Sequence, residues 1–263
     1  MTESFSLDET LLFALEAAHT AGERLRLWYG KLGYAEKGDR SPVTAADVAT
    51  ERFLTDAIHQ RFPAHGLVAE EEHSCYQGQE WTWIIDPVDG TTNYAHGLPY
   101  WAISIALAHE GQPVLGVVHL PLPGETYHAI RGKGAFLNGQ RIRVSSATQF
   151  DINDFVAVYS HTHQQYTLEA LPSKPRIYGS AAYDFCLVAR GTALMSMETR
   201  AKVWDVAAGW LLVEEAGGVA RLYDGGSAFP LTPGDYEARP LATLCAANET
   251  LWQQARARVV ERA

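Results

Sequence analysis

Between Trp81 and Asn93 the chain runs through Trp81-Thr82-Trp83-Ile84-Ile85 and then, with no spacer, through Asp86-Pro87-Val88-Asp89-Gly90-Thr91-Thr92-Asn93. The first five residues are all aromatic or β-branched, the composition of a strand. A strand of this kind belongs in a core, so it delivers Asp86 to its end. Pro87 has no amide hydrogen and forbids simple continuation of the pairing. Asp89 follows Asp86 by three residues, a spacing that a turn folds onto one ion. Gly90 lets the backbone approach a ligand closely, and the amides of Gly90 and Thr91 are free to face an anion. Two hard oxygen ligands, a hydroxyl and exposed amides suit magnesium together with phosphate. Taken alone, Asp-Pro and Asp-Gly are also ordinary turn chemistry.

Charge sharpens the choice. The 263 residues include 31 acidic and 21 basic side chains, a net charge of −10. Such a surface repels nucleic-acid backbones and anionic membranes. It also repels a phosphate ester, unless cations neutralise the carboxylates where the ester binds. That tension points towards a metal. Cys75, Cys186 and Cys245 are odd in number and far apart, so they make neither a disulfide framework nor a zinc knuckle and fit a reducing compartment. Residues 1–10 lack the basic-then-apolar pattern of a leader, and no apolar run reaches the roughly 18 to 20 residues that span a bilayer. A cytoplasmic protein is expected.

The periodicity predicts a layered α/β architecture. Ser6-Leu7-Asp8-Glu9 has the capping-box pattern and opens a helix reaching about Trp28. A polar stretch, Gly30 to Pro42, reads as a loop, and a second helix runs from about Thr44 to Phe62, stopped by Pro63. Short strands follow at Leu67–Ala69 and Trp81–Ile85. Ala102–Ala108 and Val114–Leu120 flank Glu110-Gly111-Gln112 as a hairpin. A meander covers Glu125 to Val144, turning at Gly132-Lys133-Gly134 and Asn138-Gly139. Beyond it, Phe155–Tyr159, Ala193–Met197, Val219–Tyr223 and Leu241–Ala246 read as strands. Ser180–Arg190, Asp205–Ala216 and a terminal helix from Asn248 to Arg262 read as helices. A single catalytic unit over 1–263 is expected, with approximate halves at 1–145 and 146–263.

Other acids stand at suitable places. Asp205 follows Trp204 at the predicted start of a helix, where the dipole keeps a carboxylate ionised, although it also reads as a plain cap. Asp47, in Ser41-Pro42-Val43-Thr44-Ala45-Ala46-Asp47, has the same two readings. Glu70-Glu71-Glu72 is either a solvated run or a ligand source. Two rival schemes fail on spacing. A calcium-binding EF-hand loop wants an acid 11 positions after its first Asp, where Gly97 stands. An aspartyl-phosphate phosphatase of the haloacid dehalogenase type wants its nucleophile where Pro87 stands.

The sequence resembles the inositol monophosphatase family of lithium-sensitive, magnesium-dependent phosphatases. Asp86-Pro87-Val88-Asp89-Gly90-Thr91-Thr92-Asn93 and Trp204-Asp205-Val206-Ala207-Ala208-Gly209 match its two signature segments. Asp47, Glu70-Glu71 and Glu215-Ala216-Gly217-Gly218 fall in the matching order. The resemblance runs from about Leu11 to Glu249 and implies the layered αβαβα sandwich shared with fructose-1,6-bisphosphatase. Carried over residue by residue, Glu70, Asp86 and the Val88 carbonyl hold one Mg2+, and Asp86, Asp89 and Asp205 hold a second. A third ion sits near Glu70, Mn2+ is a possible substitute, and Ca2+ or Li+ inhibits. Asp47 and Thr91, with Glu70, serve catalysis by orienting and activating the attacking water. The amides of Gly90 and Thr91 bind phosphate oxygens. Asp89, Gly179, Ser180, Ala181, Glu198 and Asp205 face the alcohol half of the substrate. Ala69 stands where the family usually has Gly, and Glu72 leaves the register between Glu70 and Glu71 open, ungapped spacing from Asp47 favouring Glu70.

The resemblance implies a homodimer acting on a small polyol or sugar phosphate, myo-inositol 1-phosphate first, with no nucleic acid or membrane partner. Thr92-Asn93 after Asp-Gly-Thr favours that branch over enzymes of 3′-phosphoadenosine 5′-phosphate, fructose 1,6-bisphosphate, histidinol phosphate or NADP. A non-catalytic regulatory protein of the same fold would be expected to lack a ligand or Thr91, and none is missing.

Overall fold

The computed structural model describes residues 6–31, 33, 35–36, 42–168 and 170–262. Helix α1, Leu7–Trp28, starts at Ser6, whose side chain accepts from the Glu9 amide. Helix α2, Ala45–Arg61, starts at Thr44 through a reciprocal capping box with Asp47. Most of the polar stretch from Gly30 to Pro42 lies outside the described residues.

A seven-stranded sheet follows, built from β1 Gly66–Ala69, β2 Trp81–Asp89, β3 Ala102–His109, β4 Gln112–Leu120, β5 Glu125–Ile130, β6 Gly134–Leu137 and β7 Gln140–Ile142. Their order across the sheet is β7-β6-β5-β4-β3-β2-β1. All neighbours are antiparallel except β1 and β2. The predicted hairpin forms as expected: His109 pairs with Gln112, and Glu110 and Gly111 both have positive φ, the two-residue turn that matches strand twist.

Alternation along β2 and β3 decides what covers each face. Trp83, Ile85, Ile103, Ile105 and Leu107 pack against α1 and α2. Ile84, Ala102, Ala106 and Ala108 face the other way, into a core shared with α4, Ala181–Ala189, and α5, Val203–Glu215. Small residues on that side let α5 come close: a Cβ on Gly116 of β4 would lie 3.0 Å from the Ala208 backbone.

Beyond α4 and α5 lies a five-stranded sheet of β8 Phe155–Val158, β9 Lys174–Arg176, β10 Met195–Ala201, β11 Val219–Leu222 and β12 Leu241–Ala246, ordered β9-β8-β10-β12-β11. Its outer face packs Met195, Met197, Leu244 and Ala246 against Leu251, Trp252 and Ala255 of α6, Glu249–Arg258. The layers therefore run helix, sheet, helix, sheet, helix, the expected αβαβα sandwich.

Within the stretch read as a loop, Ala35–Glu36 pairs antiparallel with Pro42–Val43, and three further expectations need correction. The strand carrying Asp86 does not stop there; β2 continues to Asp89, which pairs with Ala102 after a register shift between Asp86 and Asp89. The irregularity accommodates Pro87, because the shifted stretch asks for no ladder amide there. The strand expected at Ala193–Met197 is displaced to Met195–Ala201. The terminal helix ends at Arg258 instead of Arg262, and Val260–Glu261 pairs with Tyr166–Thr167.

Candidate active site

The irregular end of β2 positions the first two acids. Asp86 accepts the Val88 amide at 2.9 Å, which curls the backbone through Pro87. Asp89 then emerges beside the start of α4, accepting from the Ser180 hydroxyl at 2.5 Å and from the amides of Ala181 and Ala182 at 3.2 and 2.7 Å. The third acid comes from the start of α5, where Asp205 accepts the Lys202 amide at 2.7 Å. Ser104 of β3 ties that helix start to the sheet by donating to the Trp204 carbonyl at 3.1 Å. Carboxylate oxygens of Asp86, Asp89 and Asp205 all lie within 4.8 Å of one another.

Glu70 arrives by register. Ala69, the last residue of β1, pairs with Ile85 in the parallel neighbour, so Glu70 leaves the sheet at the level of Asp86. Its charge acts on Asp47, Asp86, Asp89 and Asp205 alike. Burial pushes the Asp86 and Asp205 carboxyls well above the usual range, and repulsion from the other acids adds to it. Burial raises Asp89 to about 6, with the Ser180, Ala182 and Ala181 hydrogen bonds pulling back and Glu70 pushing up. So many carboxylates in one dry place keep their charge only beside a cation. Hard carboxylate oxygens suit a divalent ion such as magnesium, and the donor set fits.

A second chain of contacts reaches the same place from α2. Asp47 accepts the Thr44 amide on Oδ2 at 3.0 Å and the Thr91 hydroxyl on Oδ1 at 2.9 Å. Thr91 Oγ1 also lies 3.0 Å from the Val88 carbonyl. Burial raises Asp47 to about 6, opposed by the Thr44 hydrogen bond, with Glu70 repulsion adding to the rise. Gly90, at φ 92°, opens the short helix α3, Thr91–His96. A Cβ there would sit 3.0 Å from both the Gly179 and the Tyr100 carbonyls, so only glycine fits. Asn93 bridges the surrounding loops, donating to the Tyr100 and Tyr178 carbonyls at 2.5 and 2.6 Å.

The expected alcohol-side residues partly converge. Gly179, Ser180 and Ala181 run directly past Asp89. Glu198 is only 2% exposed. Burial raises its carboxyl to about 8; an Asp184 hydrogen bond opposes that and Asp89 reinforces it. Asp184 and Glu51 are buried acids near this site that sequence reasoning passed over. Their spacing signal is weak: each stands four residues after a residue already singled out, Ser180 and Asp47.

The inositol monophosphatase family model matches residues 6–262. Inositol monophosphatase 3 of Solanum lycopersicum is 39% identical over 249 residues, covering 88% of this chain and 92% of that protein. A fructose-1,6-bisphosphatase/inositol-1-monophosphatase of Thermotoga maritima is 35% identical over 82% of this chain and 86% of its own. A solved IMPase of Thermotoga maritima superposes with a TM-score of 0.82 at 30% identity, covering 95% of this chain and 96% of its own. Among the described residues no helix is long and apolar enough to cross a membrane. Matched along nearly its whole length, the chain belongs to the inositol monophosphatase family and is a phosphoric monoester hydrolase.

Proposed function

We propose that this chain hydrolyses the monoester of a small phosphorylated polyol or sugar, myo-inositol 1-phosphate foremost, in a magnesium-dependent reaction. The supporting observation is the meeting of Asp86, Asp89 and Asp205, far apart in sequence, within 4.8 Å. Glu70, Asp86 and the Val88 carbonyl would hold one ion, and Asp86, Asp89 and Asp205 another. When bound, such ions would supply charge neutralisation at the entering and leaving oxygens of an in-line displacement.

The chain's own groups do the rest, which in phosphoryl transfer is mainly positioning. The Thr91 hydroxyl donates to Asp47, which turns its lone pairs outwards to accept a proton of the attacking water. That proton passes to Thr91 Oγ1 as the hydroxyl proton moves to Asp47 Oδ1. With its carboxyl raised to about 6, Asp47 is an acceptor poised near neutral pH. The amides of Gly90 and Thr91 grip the phosphoryl oxygens. The bonds from Ser180, Ala181 and Ala182 hold Asp89 in one orientation, and Glu198 accepts hydroxyl groups of the alcohol.

A second substrate, fructose 1,6-bisphosphate, is favoured by the double name of the Thermotoga maritima relative. A phosphate-release panel over inositol 1-phosphate, fructose 1,6-bisphosphate, 3′-phosphoadenosine 5′-phosphate, NADP, glycerol phosphate and histidinol phosphate separates these readings. Mg2+-dependent release, greatest from inositol 1-phosphate and stopped by chelator, is the expected result. Release undiminished by chelator, or none from any ester, contradicts the proposal.

A further inference from the structure

Glu51 is fully buried in α2, one helical turn after Asp47 and so on the same face. Its carboxylate reaches out of the helix to the turn that follows β1. Oε2 accepts the Glu71 amide at 2.6 Å and Oε1 the Glu72 amide at 2.8 Å. His73 Nδ1 lies 3.2 Å from Oε1. The turn is closed by the Ala69 amide donating to the His73 carbonyl at 2.8 Å. A buried acid gripping two successive amides by charge-assisted bonds this short dictates the path of the backbone it holds. Those amides belong to the two residues immediately after Glu70.

We propose that Glu51 is a positioning residue that fixes the 70–73 turn so that the Glu70 carboxylate faces Asp86, Asp89 and Asp205. This rests on the reading of those acids as a divalent-cation site. Helix α2 thereby acts as one rod with two tasks: Asp47 at its first turn holds Thr91, and Glu51 one turn later holds the Glu70 strand end. A second strap lies outside, where Arg52 donates to both carboxylate oxygens of Glu72 at 2.6 to 3.2 Å. That pair is largely exposed, and exposed pairs contribute little, so it serves as the control.

Losing such an outer partner weakens metal binding by roughly 10- to 100-fold in other sites. The test titrates Mg2+ or Mn2+ alone into the full chain by calorimetry and measures the Mg2+ dependence of phosphate release. In Glu51→Gln one amide keeps an acceptor and the other meets an NH2 group. Calorimetric affinity is expected to fall about tenfold, with the Mg2+ concentration for half-activation rising in step. At saturating Mg2+, kcat is expected to return to within about threefold of wild type, because the filled site draws Glu70 back to its place while Asp47 and Thr91 are untouched. Arg52→Ala should bind metal as wild type does.

A folded Glu51→Gln with wild-type affinity overturns the proposal, as does a loss confined to kcat. If that variant does not fold, Glu51→Asp keeps the charge while retracting it by about 1.5 Å. Weakened metal binding in it supports the proposal. Wild-type affinity, or failure of this variant to fold as well, overturns it by leaving Glu51 a purely structural role. A wild-type chain that binds neither ion sinks the cation-site reading itself, which is a separate result.

Discussion

Asp47 and Asp205 occupy equivalent positions, each at the third residue of its helix with one oxygen accepting the amide of the residue before the helix. Sequence reading leaves them as either capping acids or site acids; the geometry lets them be both. One oxygen satisfies the helix start while the carboxylate still reaches Thr91 in the first case and the neighbouring acids in the second. Asp89 has a different economy, since Ser180, Ala181 and Ala182 all donate to it. An Asp89→Asn side chain would turn donors against donors and remove a charge from the cation site. Activity at saturating Mg2+ is expected to fall at least a hundredfold, matching the several kcal/mol that metal-assisted charge stabilisation supplies, with the circular dichroism spectrum kept. Thr91→Val lacks the hydroxyl that relays the water's proton, and kcat should drop roughly 10²- to 10⁴-fold. Thr91→Ser retains that hydroxyl and should stay within about tenfold of wild type, by the same reasoning. A Thr91→Val enzyme of wild-type kcat would remove Thr91 from the proton path.

At the scale of elements, the site depends on how closely α4 and α5 approach each other and the large sheet. Gly209 of α5 allows that approach: a Cβ there would meet the Phe185 Cβ at 2.6 Å, inside contact distance and in a fully buried place. Gly209→Ala should therefore lower stability by about 1–3 kcal/mol through overpacking, read as an earlier urea midpoint with unchanged slope. The existence of most helices and strands was legible because Ser6, Thr44, Ser180 and Asn248 all stand at helix starts and each sends its side chain to a helix amide. The course of β2 was not. Proline reads locally as a stop, whereas the neighbouring strand can resume pairing beyond an irregularity. The end of the terminal helix was equally hidden, because Val260 and Glu261 take their partners from Tyr166 and Thr167, about a hundred positions away. The role of Glu51 depends on a turn twenty residues downstream, so no local pattern announces it.

For the whole molecule, acids crowded at one place tie stability to pH and to cations. Asp47 and Asp89 rise to about 6, and Asp86 and Asp205 rise as well, from the ordinary aspartate value of 3.8. The metal-free folded state then holds more protons than the unfolded chain. The stability that Asp47 and Asp89 contribute is full below about 3.8 and is lost as pH climbs through about 6, and Asp86 and Asp205 act in the same direction. His119, lowered to about 4 by burial and by His19, has the opposite sign: its contribution is present above 6.5 and lost as pH falls through about 4. The two trends overlap, so the informative quantity is the rise in Tm on adding Mg2+, in which the His119 contribution cancels. That rise should be larger at pH 7.5 than at pH 5, checked by thermal melts with and without Mg2+ across this range. An equal or smaller rise at the higher pH would separate the acid cluster from cation binding.

The layered architecture follows from alternation: Trp83 and Ile85 face one helical layer and Ile84 the other, and the unbroken apolar run they form suits a strand covered on both faces. What local spacing alone could not supply was convergence, the bringing together of an irregular strand stretch at Asp86, a helix start at Asp205 and a turn at Glu70. Diffraction at the Mn2+ absorption edge from crystals soaked in that ion tests this convergence as a cation site most directly. Anomalous peaks are expected at coordination distance, roughly 2 Å for an ion of this kind, from oxygens of Asp86, Asp89 and Asp205. Peaks confined to other parts of the surface, or none at Mn2+ concentrations that support phosphate release, would contradict it.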